Sequence, residues 1–280
     1  MVKTLAYFPF QCAQNSFPVM NALLESAQSA GVTLLENSME ADAVVIWSAL
    51  WHGRMQLNKQ VYDHYRAQGK TVIIVEVGAL HRGRTWKICL NNITANGYYG
   101  HTENLDWDRP KKLGISLAMP AFNHPEILIT AQHRHSLQVA DLPSVEAWIY
   151  QQIIRLKQFT DRPIRVRPHP RSRLDTRLLP NDIVFEEPHP LANTYDSFDM
   201  HFDCHAVVNY NSGPGIQAAI SGIRPIVDRT SLAYPVSVSY LELEQPYLTD
   251  RARWLTEILH TEYTVEEIKE GSWLKRLQLL

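Results

Sequence analysis

Three stretches in the second half of the chain place anion-gripping residues directly after an apolar run. The first is Val207-Val208-Asn209-Tyr210-Asn211-Ser212-Gly213-Pro214-Gly215-Ile216-Gln217-Ala218-Ala219, an apolar strand that runs into a small-residue turn and opens a helix. Ser212, Gly213 and Gly215 leave room for a ligand to approach the backbone, and the first amides of a helix have no internal partners. That suits the phosphates of a nucleotide. It also describes an ordinary tight strand-to-helix turn, and the turn alone does not separate the two. The second stretch is Arg165-Val166-Arg167-Pro168-His169-Pro170-Arg171. Arginine offers a planar fork of donors suited to a diphosphate, and the prolines keep the segment extended. The alternative is a solvated basic loop. The third is Thr130-Ala131-Gln132-His133-Arg134-His135-Ser136, where His133 and His135 read as surface histidines rather than metal ligands, because no carboxylate or cysteine partner lies nearby in sequence.

In the first half, Glu76-Val77-Gly78-Ala79-Leu80-His81-Arg82 follows another apolar run. A carboxylate at a strand end beside a glycine turn is well placed to take a proton from an attacking hydroxyl. Equally, Glu76 could cap the turn or pair with Arg82 or Arg84. Asp42, Asp106 and Asp108 are weaker candidates for the base. His52, Gly53 and Arg54, after Trp47-Ser48-Ala49-Leu50-Trp51, could line the same cleft, while the tryptophans read as packing.

The elements that must hold these groups follow from periodicity. Residues 5–8, 43–47 and 71–75 read as strands, the last two as continuous apolar runs of the buried parallel kind. Residues 17–30 and 57–68 read as helices followed by Gly31 and Gly69. Residues 79–123 lose clean periodicity, which inside an enzyme usually marks function, and 119–125 reads as a linker. A second series then gives strands at 126–130, 164–167, 182–185, 206–210 and 225–227. Helices are expected at 144–159, 191–199 and after Gly213. The tail, 248–280, is mostly helical, with a capping box at Thr264-Val265-Glu266-Glu267. Alternating strands and helices with buried strands predict an α/β fold of two similar layers in tandem.

Composition sets the bounds. The chain has 280 residues, 45% hydrophobic and 20% charged, enough for one large domain or two ordinary ones. No run of about 18 apolar residues predicts a membrane span, and the start reads as a strand rather than a signal peptide. Three scattered cysteines argue against a disulfide framework and a zinc site, and fit a reducing, cytoplasmic setting. A formal net charge of −2 excludes a protein that simply coats nucleic acid, though not a nucleic-acid substrate. The Walker lysine loop, the Gly-x-Gly-x-x-Gly turn, the Gly-x-Ser-x-Gly elbow and His-Glu-x-x-His are all absent, which disfavours ATPases, simple dehydrogenases, α/β-hydrolases and zinc proteases.

Taken in order, Ile127-Leu128-Ile129-Thr130-Ala131-Gln132, Arg167-Pro168-His169-Pro170, Asn211-Ser212-Gly213-Pro214-Gly215-Ile216-Gln217-Ala218 and Gly222-Ile223-Arg224-Pro225-Ile226-Val227 resemble the donor domain of GT-B glycosyltransferases. The similar branch contains bacterial capsule Kdo transferases and related phage-encoded, DNA-modifying transferases. The Glu76–Arg82 segment resembles the acceptor-side segment of that branch. The likeness spans most of the chain, from about Asp42 onward.

The resemblance implies two Rossmann-like domains facing across a cleft. Residues 1–122 would be the acceptor side and 123–255 the donor side, with 256–280 a helical tail that packs back on the first domain. It implies transfer of a sugar from a nucleoside-diphosphate sugar, a UDP-sugar being favoured, to an acceptor hydroxyl. Glu76 would be the catalytic base. Arg167 and His169 would contact the donor phosphates. Ser212, Gly213 and Gly215 would hold the nucleotide at the helix start, and Gln132 would lie near the donor sugar or phosphate. Gln217 stands where many members of this fold have a ribose-gripping glutamate. His81, Arg82 and Arg84 would bind the acceptor, with His81 and Val77 departing from the capsule enzymes. No tightly bound cofactor or metal is implied, since cations and helix amides would carry the leaving group's charge.

The acceptor expectation rests on the segment 82–109, where Arg82, Arg84, Lys87, His101 and Arg109 are interleaved with Trp86, Tyr98, Tyr99 and Trp107. Cations with aromatics could hold phosphates and a flipped base. The favoured acceptor is thus a 5-hydroxymethylpyrimidine in double-stranded DNA, as in bacteriophage DNA modification, with a glycan or small molecule as the alternative. No basic amphipathic helix suggests a membrane partner. The rival readings are a non-catalytic nucleotide- or nucleic-acid-binding module and a sugar-nucleotide epimerase of the same fold.

Overall fold

The computed structural model describes residues 1–103, 105–120, 124–188 and 202–280. They form two compact units, Met1–Asp106 with Glu257–Leu280, and Trp107–Thr256. The sequence predicts a domain boundary at 122, whereas the first segment of the first unit ends at Asp106 and the unit resumes at Glu257.

The first unit is built on a six-stranded sheet. Its strands are β1 (Thr4–Tyr7), β2 (Thr33–Glu36), β3 (Ala43–Trp47), β4 (Thr71–Val77), β5 (Trp86–Leu90) and, from the C-terminal segment, β11 (Glu262–Tyr263). The order is β11-β5-β4-β3-β1-β2. β1, β2, β3 and β4 run parallel, and β5 and β11 are antiparallel additions. The helices are α1 (Phe17–Ser29) and α2 (Asn58–Ala67). Every residue of β3 is buried, as expected of a strand covered on both faces. Val19, Met20, Leu23 and Ala27 of α1 recur at helical spacing and pack into the core with Val45, Ile73 and Val75. The irregular region expected at 79–123 contains β5, whose Ile88 and Cys89 are fully buried.

The second unit carries β6 (Ile127–Thr130), β7 (Ile164–Arg167), β8 (Val184–Phe185), β9 (Ala206–Asn209) and β10 (Arg224–Val227). They form an all-parallel sheet ordered β10-β9-β6-β7-β8. Its helices are α3 (Arg109–Leu113), α4 (Val145–Leu156) and α5 (Gly213–Ile220). Ser144 caps α4 by accepting the Ala147 amide at 2.9 Å. Val145, Trp148, Ile149, Ile153 and Leu156 form one buried stripe against Ile127, Ile129, Val166 and Val208. Each such Ile or Leu contributes roughly 1.5–3 kcal/mol of burial. The helix expected at 191–199 lies outside the described residues, as does part of the 119–125 linker.

The division between the units falls within α6 (Ala252–Leu259); α7 (Val265–Lys269) and α8 (Ser272–Arg276) follow. Thr264 and Glu267 close the capping box that starts α7. Trp273, fully buried, donates its indole N–H to Ser26 Oγ of α1 at 3.0 Å. No helix among the described residues is long and apolar enough to cross a membrane.

Candidate functional site

In a parallel α/β sheet the groups that meet a ligand stand beyond the carboxyl ends of the strands. The β6, β7, β9 and β10 ladders run in register, so Thr130, Arg167, Asn209 and Val227 end side by side. Asn209 is fully buried and ties the edge together. Its Nδ2 donates to Thr130 Oγ1 and to Ser212 Oγ, each at 3.0 Å, while its Oδ1 accepts the Ser212 amide at 2.7 Å. The Ser212 side chain is therefore engaged with Asn209 and does not cap α5.

Gln132 and Asn211 form the next layer. The Asn211 amide donates to Gln132 Oε1 at 2.8 Å, and Gln132 Nε2 donates to Asn211 Oδ1 at 3.0 Å. Asn211 Nδ2 donates to Gln138 O and Thr230 Oγ1, and Thr230 is held by Asp228 Oδ1. Gln132 thus acts as a clamp between the loops after β6 and β9. Gly215 is buried beneath β10. A Cβ built on it would stand 2.7 Å from Val227 Cγ1, so helix–strand packing itself requires glycine there. Gly213 and Gln217 are half-buried on the first turns of α5.

Arg167 and His169 have different surroundings. Arg167 Nε and Nη2 both reach Glu186 Oε1, and its guanidinium lies 5.4 Å from the centre of the Phe202 ring. Glu186 also takes Arg165 Nη1 at 2.6 Å. Arg167 is consequently part of an ionic ladder on one sheet face. His169 is half-buried, packed edge-to-face on His133 with ring centres 5.2 Å apart. His169 Nδ1 accepts the Arg171 amide and His133 Nδ1 accepts the His135 amide. An Nδ1 that accepts a backbone N–H places the ring proton on Nε2. In both rings Nε2 is therefore the donor nitrogen. Among the described residues, no group of three or more His, Cys, Asp or Glu side chains is arranged to hold a metal ion.

In the first unit, Glu76 lies at the carboxyl end of β4 beside the end of β3. Its Oε2 accepts Ser48 Oγ at 2.7 Å and the Ala49 amide at 3.2 Å, and its Oε1 accepts the Val77 amide at 3.0 Å. Ser48 adopts a left-handed backbone, φ 65°. Such strain in a non-glycine residue persists only where its surroundings enforce it. Here Ser48 N donates to Val75 O, and its hydroxyl also accepts the Leu50 amide. The half-buried Glu76 is thus a carboxylate fixed by the three hydrogen bonds it accepts.

His81, Arg82 and Arg84 lie in one turn, 78–85, with Arg82 and Arg84 exposed and His81 half-buried. That turn is braced by Glu262, a residue the sequence did not single out. Ser48, Asn209 and Asn211 were likewise not assigned roles, although an asparagine closing an apolar strand was a readable signal. The segment expected to bind DNA is divided between the two units. Trp86 and Tyr98 pack against the core of the first unit, Lys87 is 7% exposed, and Tyr99 donates its hydroxyl to Thr94 O. Trp107 and Arg109 belong to the second unit, and Arg109 is buried.

The chain is an α/β protein with two Rossmann-like sheets, each with polar groups at its strand carboxyl ends, and this fold matches that of GT-B structures. Solved structures that share this fold include two of KpsC from Thermosulfurimonas dismutans. Its β Kdo 2,4 transferase aligns with a TM-score of 0.50 at 11% identity, covering 94% of this chain and 91% of that one. Its β Kdo 2,7 transferase aligns with the same score and identity over 99% of both chains. No protein-family model matches the sequence, and no curated protein matches it.

Proposed function

We propose that this chain is a glycosyltransferase that moves a sugar from a nucleotide sugar to an acceptor hydroxyl. The observation that carries the reading is the carboxyl edge of the second sheet. There the turn of Ser212 into α5 and His169 follow β9 and β7, the two strands that flank β6, on a fold shared with two Kdo transferases. In this reading the Gly213 amide at the start of α5 and the Nε2–H of His169 receive the donor phosphates and stabilise charge on the leaving group. Arg167, paired with Glu186, fixes the end of β7 from which the loop carrying His169 departs. Gln132 shapes the seat by holding Asn211, and Gln217 reaches toward the nucleotide from α5. Glu76 takes the proton of the acceptor hydroxyl as that oxygen attacks the anomeric carbon.

A nucleoside-diphosphate sugar, first of all a UDP-sugar, is the donor class to try. For the acceptor, the packing of Trp86, Tyr98 and Tyr99 favours a glycan or small-molecule hydroxyl over a 5-hydroxymethylpyrimidine flipped from DNA. The test is transfer from a panel of UDP-, GDP- and CMP-sugars to capsule-type oligosaccharides and, in parallel, to hydroxymethylated DNA, read by mass. A mass gain of one sugar on any acceptor supports the reading. Tight nucleotide binding with no turnover on any pair would favour a binding module instead. Interconversion of the donor sugar without transfer would favour an epimerase.

A further inference from the structure

We infer that Glu262 is a positioning residue, holding in shape the turn that presents His81, Arg82 and Arg84. The inference rests on the reading of that turn as acceptor-facing. Glu262 is fully buried on β11. Its Oε1 accepts the Ala79 amide at 2.6 Å, and its Oε2 accepts the Leu80 amide at 3.2 Å and Thr85 Oγ1 at 2.7 Å. Successive backbone amides aimed at one point form a small anion-binding nest, and here the anion is the protein's own carboxylate. Thr85 closes the other side of the turn. Its hydroxyl accepts the His81 amide at 3.2 Å, and its amide donates to His81 O at 2.9 Å. His81 is thereby tied, through Thr85, to a residue 177 positions further along the chain than Thr85 itself.

Two further observations point the same way. A Cβ built on Gly78 would stand 2.3 Å from Glu262 Oε2 and 2.3 Å from Thr85 O, so the bare backbone of Gly78 is what admits the carboxylate. Glu262 is also opposite Lys87 in the β11–β5 register, and Lys87 is opposite Glu76 in the β5–β4 register. Directly opposed residues share a sheet face. The turn-holding carboxylate and the candidate base are therefore the two ends of one cross-strand row.

A glutamine at position 262 keeps the shape but replaces one accepting oxygen by an NH2, which cannot accept the turn's amides. Glu262→Gln and Glu262→Ala in the full chain test this by hydrogen exchange and by transfer kinetics. The Ala79 and Leu80 amides should exchange about tenfold or more faster in Glu262→Gln, while the β3–β4 ladder keeps its protection. Added formate should slow exchange at Ala79 and Leu80 in Glu262→Ala by occupying the nest. The acceptor KM should rise about tenfold with the donor KM unchanged. Unchanged exchange at Ala79 and Leu80, a uniform rise across the first unit, or local loosening with an unchanged acceptor KM would each overturn the inference. If Glu262→Ala does not fold, Glu262→Gln decides. If the wild-type chain transfers no sugar, the glycosyltransferase reading fails, and the exchange data alone decide whether Glu262 holds the turn.

Discussion

Gln132 and Asn211 exchange two hydrogen bonds across the carboxyl edge of the second sheet, and both residues are buried. Neither loop could shift without breaking both bonds. Gln132→Leu fills similar space and strips Asn211 of an acceptor and a donor together. Leaving such buried groups unpaired costs about 1–3 kcal/mol. Urea unfolding should show a lower midpoint with unchanged slope, and nucleotide affinity should fall as the turn loosens. Wild-type stability in Gln132→Leu would show that the clamp is dispensable.

Glu76 offers a cleaner chemical test. Glu76→Gln keeps an oxygen for Ser48 but removes the capacity to take a proton. Transfer should fall about a hundredfold or more, the range for loss of a general base, while the thermal midpoint falls only modestly, because the new NH2 cannot accept the Val77 amide. Near-normal turnover in Glu76→Gln would remove it from the chemistry.

Gly215 should behave as a packing position. In Gly215→Ala the new methyl meets Val227 Cγ1, and overpacking of this kind costs about 1–3 kcal/mol. Val227→Ala removes the opposing methyls, so the double variant should recover part of the stability lost by Gly215→Ala. Additive losses in a double-mutant cycle would contradict the contact.

The second unit should respond to acid in two windows. Burial, reinforced by the guanidinium groups of Arg224 and Arg162, holds the His205 pKa below its ordinary 6.5, against the bond to Leu243 O. The unfolded chain then takes up this proton first, so stability is full above about pH 6.5 and falls as the pH drops below it. Glu244, bonded to Arg162, has its pKa pulled down to about 2 from 4.5. Its contribution is full above pH 4.5 and is lost on going down toward pH 2. His205→Asn should flatten the upper window and Glu244→Gln the lower one when thermal midpoints are followed against pH. An upper slope untouched by His205→Asn would assign it elsewhere.

The sequence was readable where a run of side chains had one environment. Ala43–Trp47 and Ile164–Arg167 have the observed bounds, the first as a strand with every residue buried. β2 escaped notice because Thr33–Glu36 is half-exposed with no apolar run, and β11 because two residues carry no period. At the candidate site the strand ends were legible, but the partners were not. Arg167 reads as a free fork until Glu186, 19 residues on, is seen against it. Glu262 is 183 residues from the amide it receives, and no local pattern reports such a bond.

The first sheet ends in a strand contributed from beyond the second unit, and Val2 N donates to Leu279 O at 2.9 Å. During synthesis, every residue of Trp107–Thr256 therefore leaves the ribosome before β11 and Trp273 can reach the first unit. The second unit can form its core while the chain is still growing. The first must wait with the unpaired edge of β5 uncovered, so its sheet is completed only after the whole second unit has been synthesised.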